Sequence, residues 1–469
     1  MTLPADILSQ IFERVPAVNQ IAGREAYWPV MERLGRYNVP GVSVCVIHDG
    51  EIAAAGGAGV RDESGAPVEA ETIFAGASIS KPVAAVLALQ LVDRGRLDLD
   101  APVNDYLRSW KLSENDLTRR SPVTLRQLLS HRAGTTVHGF GAFPQDTKPP
   151  TLLEILSGQP PSVTPVVEVD KMPGESVRYS GGGTQIVQLL LEEQTGLDFA
   201  ELAEREIFAP LGMKHSTFRQ PLPADMRAQA ATGHDKNGQS VKGRFTFTPQ
   251  LAAGGIYTTA PDYARFMIAC RNAWLGRSDA LLSQPLARAM MEQQGGGQFG
   301  LGWEIFGASS HRRFAHGGSN EGYQCNATCM LAQGSGAVVL TNGLLGILLH
   351  AEVINAVAEV CRWEGFVKPP RTVRQVPPDL QARIAGRYAI VSGVSAPHID
   401  IWIEDGQLHS FVEGLILPPR PIYMGENGRF FTQQTNSETQ LEFGADGEAV
   451  ALSVFAEGDV EIIRAIRQR

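Results

Sequence analysis

Ser78 and Lys81 stand three residues apart in AGASISKPVAAVLALQLVDRGRLDLD. That spacing is close to one helical turn, so the two side chains share a face. A hydroxyl at the opening of a helix meets outward-pointing backbone N–H groups and a dipole that favours negative charge. A lysine held in the low-dielectric turn behind it can lose its proton and take the one from Ser78. Such a pair is an acyl-transfer nucleophile built without a histidine base. Ser-x-x-Lys also arises by chance on solvated helix faces, so the surroundings carry weight. The preceding GVRDESGAPVEAETIFAGAS reads as strand and turn, and the residues after Lys81 stay apolar for about ten positions, too long for a lysine that is only surface decoration.

Acyl transfer needs a second proton-handling group, oxyanion donors and a strand along the substrate. Tyr179 offers a phenol on the Gly-rich turn Tyr179-Ser180-Gly181-Gly182-Gly183, just before a helical pattern. His316-Gly317-Gly318-Ser319 lies at a strand-like edge, where two glycines let a ligand approach the backbone. Taken singly, Tyr179 reads more readily as a core residue and His316 as a turn residue. His131 in LLSHRAG reads as structural, and Gly139-Phe140-Gly141 and Trp303 read as pocket walls. His131, His138 and His316 lie in separate segments without metal-ligand spacing, and Cys325-x3-Cys329 has no second pair beside it. The five cysteines read as buried free thiols. No metal and no cofactor is expected, since no H-E-x-x-H and no complete nucleotide-binding glycine pattern occurs.

The elements that must position these residues can be placed coarsely. GVSVCVIHDGEIAAAGGAGV is a hairpin about Asp49-Gly50, with both turn positions suited to a type I′ turn. GQFGLGWEIF, RRFAHGGSNEGYQCNATCML and GAVVLTNG are successive strands, closed by the helix LLHAEVINAVAEVCRW. A hairpin at the start, strands at the end and helices between predict one mixed sheet made from both ends of the domain, an α+β arrangement. Residues 6–36 read as one helix, and Ser121 or Thr124 caps a short helix holding Leu125, Leu128 and Leu129. Residues 138–175 hold one helical island, TLLEILSG, in a Gly- and Pro-rich stretch that reads as a binding wall or lid. The segment 367–380, with two Pro-Pro pairs, reads as a stiff extended linker between a domain at 1–366 and another at 381–469. Beyond it the residues alternate at period two, with turns at Asp405-Gly406, Asn427-Gly428 and Asp446-Gly447; a small antiparallel β-barrel closes such a meander most economically.

The chain has 469 residues, 43% hydrophobic and 19% charged, the composition of a soluble protein of two or three domains. A net charge of −9 argues against a nucleic-acid partner, and no apolar run is long enough to predict a transmembrane helix. The opening MTLPADILSQIFERV has neither a basic start nor a continuous apolar stretch. A cytoplasmic location is the expectation, or a periplasmic one if a leader has been removed. The expected partner is a small molecule, with no nucleic acid and no membrane; self-association is left open.

The order Ser78-x-x-Lys81, Tyr179-Ser180-x, His316-x-Gly318 resembles the serine β-lactamase and penicillin-binding-protein superfamily, and in particular its class C β-lactamase-like hydrolases. The phrases GRLDLDAPVNDYL, VTLRQLLSHRAG, PLGMKHSTF, AAGGIYTTAPDYARF and FGLGWEI extend the likeness over about residues 20–365. The resemblance implies an antiparallel sheet flanked by helices, an all-helical subdomain and a lipocalin-like barrel at the C-terminus. It also implies that Ser78 is acylated, that Lys81 and Tyr179 share the acid and base roles, and that the N–H groups of Ser78 and Ser319 form the oxyanion hole. Lys81 would lower the Tyr179 pKa. His316, in place of a lysine, would touch Tyr179 or a substrate carboxylate. Most relatives carry asparagine at Gly181, where it holds an acyl amide, and Lys-Thr-Gly at 316–318. Both departures imply a hydrolase of small esters or amides with weak or no β-lactamase activity. The alternatives are a D-amino-acid-specific peptidase or carboxypeptidase, and a non-catalytic ligand-binding protein on the same fold.

Overall fold

The computed structural model describes residues 6–141, 143, 147–278, 280–394, 396–457 and 459–468. Gly41–His48 (β1) and Glu51–Gly59 (β2) form the N-terminal hairpin, with Asp49 at φ 51° and Gly50 at φ 79°, the two left-handed residues a type I′ turn requires. They join Glu304–Phe306 (β5), Arg313–Asn320 (β6), Tyr323–Met330 (β7) and Gly336–Thr341 (β8) in one sheet of order β2-β1-β8-β7-β6-β5. Both ends of the segment thus build the sheet as expected, but every neighbouring pair is antiparallel, so it is not mixed. β1 and β8 are buried almost throughout, as strands covered on both faces must be.

Phe74–Ala77 (β3) and Ile256–Thr258 (β4) make a separate antiparallel pair. β3 runs into the helix Ser80–Asp93 (α1), which is buried on nearly its whole circumference for its first twelve residues. Its neighbour is Gly181–Thr195 (α2), whose first eleven residues are also buried. Ala260–Leu275 (α3) is capped by Thr259, whose hydroxyl accepts from the Asp262 N–H, and packs across β1, β2 and β8. Thr124 and Thr151 each close a capping box, with Gln127 and Glu154, on the two short helices read from the sequence. The helix Gly346–Val360 (α4) follows β8.

Two compact units result: Leu34–His350, and Met1–Arg33 with Ala351–Arg469. The stretch read as one helix over 6–36 is two short helices, Ile7–Glu13 and Val30–Arg36, separated by the strand pair Val15–Pro16 and Tyr27–Trp28. Pro16 has no amide hydrogen to continue a helix, and Pro29 pre-sets the start of the next one. The C-terminal meander is a ten-stranded antiparallel sheet whose inward residues, among them Tyr388, Ile399, Leu408, Phe430 and Leu452, form their own core. It is a curled half-barrel: its edge strands Val373–Arg374 and Arg420–Pro421 do not pair with each other among the described residues. Within the Pro-rich stretch 367–380, Val373 and Arg374 pair with Gly425 and Met424, and a helix starts at Pro378. No helix of the described residues is long and apolar enough to cross a membrane.

Candidate active site

Ser78 lies in the turn between β3 and α1, two residues before the first helical residue, and not on the helix itself. The turn is strained and then fixed from several sides. Ala77 holds a left-handed φ of 48°, a conformation that costs a residue with a Cβ. The Ser80 hydroxyl donates to the Ala77 carbonyl at 2.6 Å and accepts from the Ile256 N–H at 3.0 Å. Tyr263 donates to the Ile79 carbonyl at 2.8 Å, and the Cys325 thiol to that of Gly76 at 3.1 Å. Serine, tyrosine and thiol therefore hold the turn's carbonyls, and the Ser78 hydroxyl faces a cleft.

Lys81 Nζ sits 3.0 Å from Ser78 Oγ and 2.7 Å from the Ala253 carbonyl oxygen, with the side chain 5% exposed. Burial without a carboxylate partner penalises its charge and brings its pKa down to about 7. The Tyr179 phenol hydrogen-bonds Ser78, and its ring centroid is 4.8 Å from Lys81 Nζ. The expected lowering of the Tyr179 pKa by Lys81 does not occur: burial dominates and pushes the phenol up, and the hydrogen bond to Ser78 opposes this only in part. Near neutral pH the phenol is therefore a proton carrier and not an anion.

The segment before α2 explains the glycine run. The N–H groups of Gly181 and Gly182, which a helix N-terminus leaves without partners, donate to the carbonyls of His138 and Val137 at 3.1 and 3.0 Å. Ser180 caps the Gly183 N–H at 2.9 Å and donates to the Thr136 carbonyl at 2.6 Å. This close seating leaves no room for side chains. A Cβ on Gly181 would stand 2.5 Å from the Phe140 ring, one on Gly182 2.9 Å from the Thr136 oxygen, and one on Gly183 2.8 Å from Thr135 Oγ1. Gly181 does not line the cleft; Phe140 covers it and lines the cleft instead.

His316, Gly318 and Ser319 lie on β6. The hairpin to β7 closes at Asn320–Tyr323, so by alternation Ser319–Gln324 is a pair that exchanges no backbone hydrogen bonds. The Ser319 N–H consequently points away from β7, at a height where β5 has already ended. Its hydroxyl accepts from Gln324 Nε2 at 2.7 Å. Gly318 packs against β3; a Cβ there would meet the Gly76 carbonyl oxygen at 2.3 Å. His316 is 3% exposed, and its Nδ1 lies 2.6 Å from the Gly317 carbonyl oxygen, which can only accept. Nδ1 therefore carries the proton. Burial, and next the Lys81 charge, hold the ring neutral with a pKa of about 3, and Nε2 has no hydrogen-bond partner among the described residues. Its ring is 6.2 Å from that of Tyr179, and it is too neutral to anchor a carboxylate.

Ser78, Lys81, Tyr179, Gly318 and Ser319 share a cleft of about 620 Å³, whose lining also includes His138, Asn320, Leu344, Ile347 and His350. Lys81 is the one lysine or arginine among its described lining residues. His131, read as structural, acts on Tyr179: its Nδ1 accepts the Ser180 N–H at 3.2 Å and its ring lies 4.4 Å from the tyrosine ring. The Ala253 carbonyl was not singled out; its signal was the Gly-rich phrase AAGG. Trp303, read as a pocket wall, is instead fully buried in the core against Phe266 and Phe314. All five cysteines are buried and free. Among the described residues no cluster has the ligands for a metal ion.

The beta-lactamase family model matches residues 21–361. Penicillin-binding protein 4 of Amycolatopsis lactamdurans is 26% identical over 376 residues, 75% of this chain and 93% of that protein. Esterase EstB of Burkholderia gladioli is 27% identical over 292 residues, 55% of this chain and 70% of the esterase. Among solved structures, the octameric penicillin-binding protein homologue from Pyrococcus abyssi superposes with a TM-score of 0.61 at 21% identity, covering 93% of this chain and 98% of that one.

Proposed function

The chain belongs to the beta-lactamase family, and from that premise we propose that it is a serine hydrolase working through an acyl-enzyme on small esters or unhindered amides. The observation that carries this reading is the Lys81–Ser78 contact: a lysine whose pKa lies near 7, 3.0 Å from the hydroxyl it would deprotonate. Neutral Lys81 takes the proton of Ser78 as Oγ bonds to the substrate carbonyl carbon. The carbonyl oxygen, now an anion, is held by the N–H groups of Ser78 and Ser319; such a donor typically contributes about 3 kcal/mol. As the bond to the leaving group breaks, Tyr179 hands it a proton and is resupplied by Lys81. Water then cleaves the acyl-serine ester with the same groups running in reverse.

The order of roles follows from the electrostatics. Lys81 is the group with an accessible free base near neutrality, and Tyr179, held protonated by burial, is the relay. The cleft offers little to a substrate carboxylate: His316 is neutral, and Lys81 is committed to Ser78 and Ala253. This supports neutral esters and amides over β-lactams. A second reading, a D-amino-acid-specific peptidase or carboxypeptidase, is favoured by the likeness to penicillin-binding protein 4 over 93% of that protein.

The test is turnover of p-nitrophenyl butyrate by the wild type and by Ser78→Ala, with intact mass spectrometry for an acyl adduct. Turnover and an adduct that both vanish in the variant support the reading; turnover that survives in Ser78→Ala overturns it. Cleavage of D-alanyl-D-alanine with no ester turnover would move the assignment to the peptidase.

A further inference from the structure

The wall beside Tyr179 is unusual in its chemistry. Three successive glycines begin α2, so this helix end presents no side chain to the cleft. The loop that caps them brings Phe140, flanked by Gly139 and Gly141, to the cleft surface. Its ring atom Cε2 stands 2.5 Å from the point where a Cβ of residue 181 would be. Phe140 is half-buried, so part of its ring rests on the glycine turn and part is open to an incoming molecule. Among the polar side chains of the cleft, Asn320, Gln324 and Asn326 lie on β6 and β7, and His138 lies two residues before Phe140 on its own loop.

We propose that Phe140 is the specificity-determining residue of this cleft: its ring receives an apolar aliphatic or aromatic group flanking the scissile carbonyl of an ester, and it occupies the space from which a side chain at position 181 would hydrogen-bond a substrate amide. The inference rests on the hydrolase reading above and narrows it to esters with apolar substituents. A ring face that buries a substrate methylene favours the longer homologue by about three- to fourfold per methylene. Phe140 is a specificity residue of this chain because the fold leaves it room, and position 181 cannot carry a Cβ while the ring stays in place.

The experiment compares wild type, Phe140→Ala, Gly181→Asn and the double variant Phe140→Ala/Gly181→Asn. The substrates are p-nitrophenyl acetate, butyrate and hexanoate, a series of phenylacetate esters with alcohols of growing length, and the p-nitrophenyl ester of N-acetylglycine. In the wild type kcat/KM rises with chain length in one series, which identifies whether the acyl or the alcohol part meets the ring. Phe140→Ala flattens that slope to less than twofold per methylene. The double variant shifts the ratio of N-acetylglycyl to butyryl ester turnover at least tenfold toward the amide-bearing ester, whereas Gly181→Asn alone, colliding with the ring, loses activity on both. Unchanged slopes in both series for a folded Phe140→Ala protein overturn the proposal. Binding of the same esters to Ser78→Ala and Ser78→Ala/Phe140→Ala, read by calorimetry, separates the two claims. An inert wild type whose ester binding still weakens about tenfold without Phe140 sinks the hydrolase reading alone, and binding indifferent to Phe140 sinks this proposal.

Discussion

Two antiparallel sheets in one chain hold many of their ionisable groups differently, although Arg420 on an edge strand of the half-barrel is also partly buried, with its pKa brought down to about 10. Around the six-stranded sheet, Lys81, His316 and His350 are buried and all three are driven toward their neutral forms. On the ten-stranded half-barrel, charges sit outward in pairs such as Arg387–Asp400, Arg464–Glu442 and Arg467–Glu448, partly in water. The first arrangement costs stability and, in the proposed mechanism, supplies the base; the second is solvated and nearly neutral in energy. For Lys81, burial without a counter-charge is what tunes the group for the proposed chemistry.

The comparison can be broken or sharpened by substitution. Removing Ser78 or Lys81 should have the largest effect, a fall in kcat of about 10⁴-fold or more by ester hydrolysis, because members of such a unit fail together. Tyr179→Phe keeps the ring and removes the proton carrier, so kcat should fall by about 10²–10³-fold with KM little changed. The profile of kcat/KM against pH should carry an acidic limb near 7, falling toward tenfold per unit below it, because Lys81 must be neutral to act. His316, neutral down to about 3, should contribute no limb above that, and a His316 variant that moved the limb well away from 7 would reassign it.

Stability should move the other way. The folded-state pKa of Lys81, about 7, is depressed from 10.5, so the folded protein binds fewer protons than the unfolded chain between those values. The penalty is present in full below pH 7 and fades as pH rises toward 10.5. Lys81→Met should thus stabilise the inactive protein at pH 7 by on the order of 3 kcal/mol in urea unfolding, with the gain shrinking by pH 10. Glu442→Gln on the half-barrel should change stability by less than about 1 kcal/mol at any of these pH values. A comparable loss at both sites would erase the contrast between the sheets.

Much of this was legible because it is local. The three-residue spacing of Ser78 and Lys81, the Thr124 cap, and the Asp49-Gly50 turn each depend on neighbours within a few positions. The sign of the Tyr179 shift was not legible, since Lys81 is close enough to lower it and only the depth of burial decides against that. Phe140 was read as a wall, but its seat on Gly181 depends on backbone hydrogen bonds between segments about forty residues apart. Trp303 was misplaced for the same reason: its aromatic partners come from α3 and β6. The helix read over 6–36 failed more simply, because its apolar spacing was followed through Pro16 and Pro29.

The glycine turn under Phe140 also shapes what neighbouring sequences can become. Any side chain added at position 181 meets the Phe140 ring, and small residues at position 140 leave the space above the glycine empty. A new polar contact at that wall lies across a valley, reached when both positions change together. Whether by drift or by directed evolution, a polar side chain at position 181 should arrive together with a smaller residue at 140, whereas the preference for chain length can change through position 140 alone.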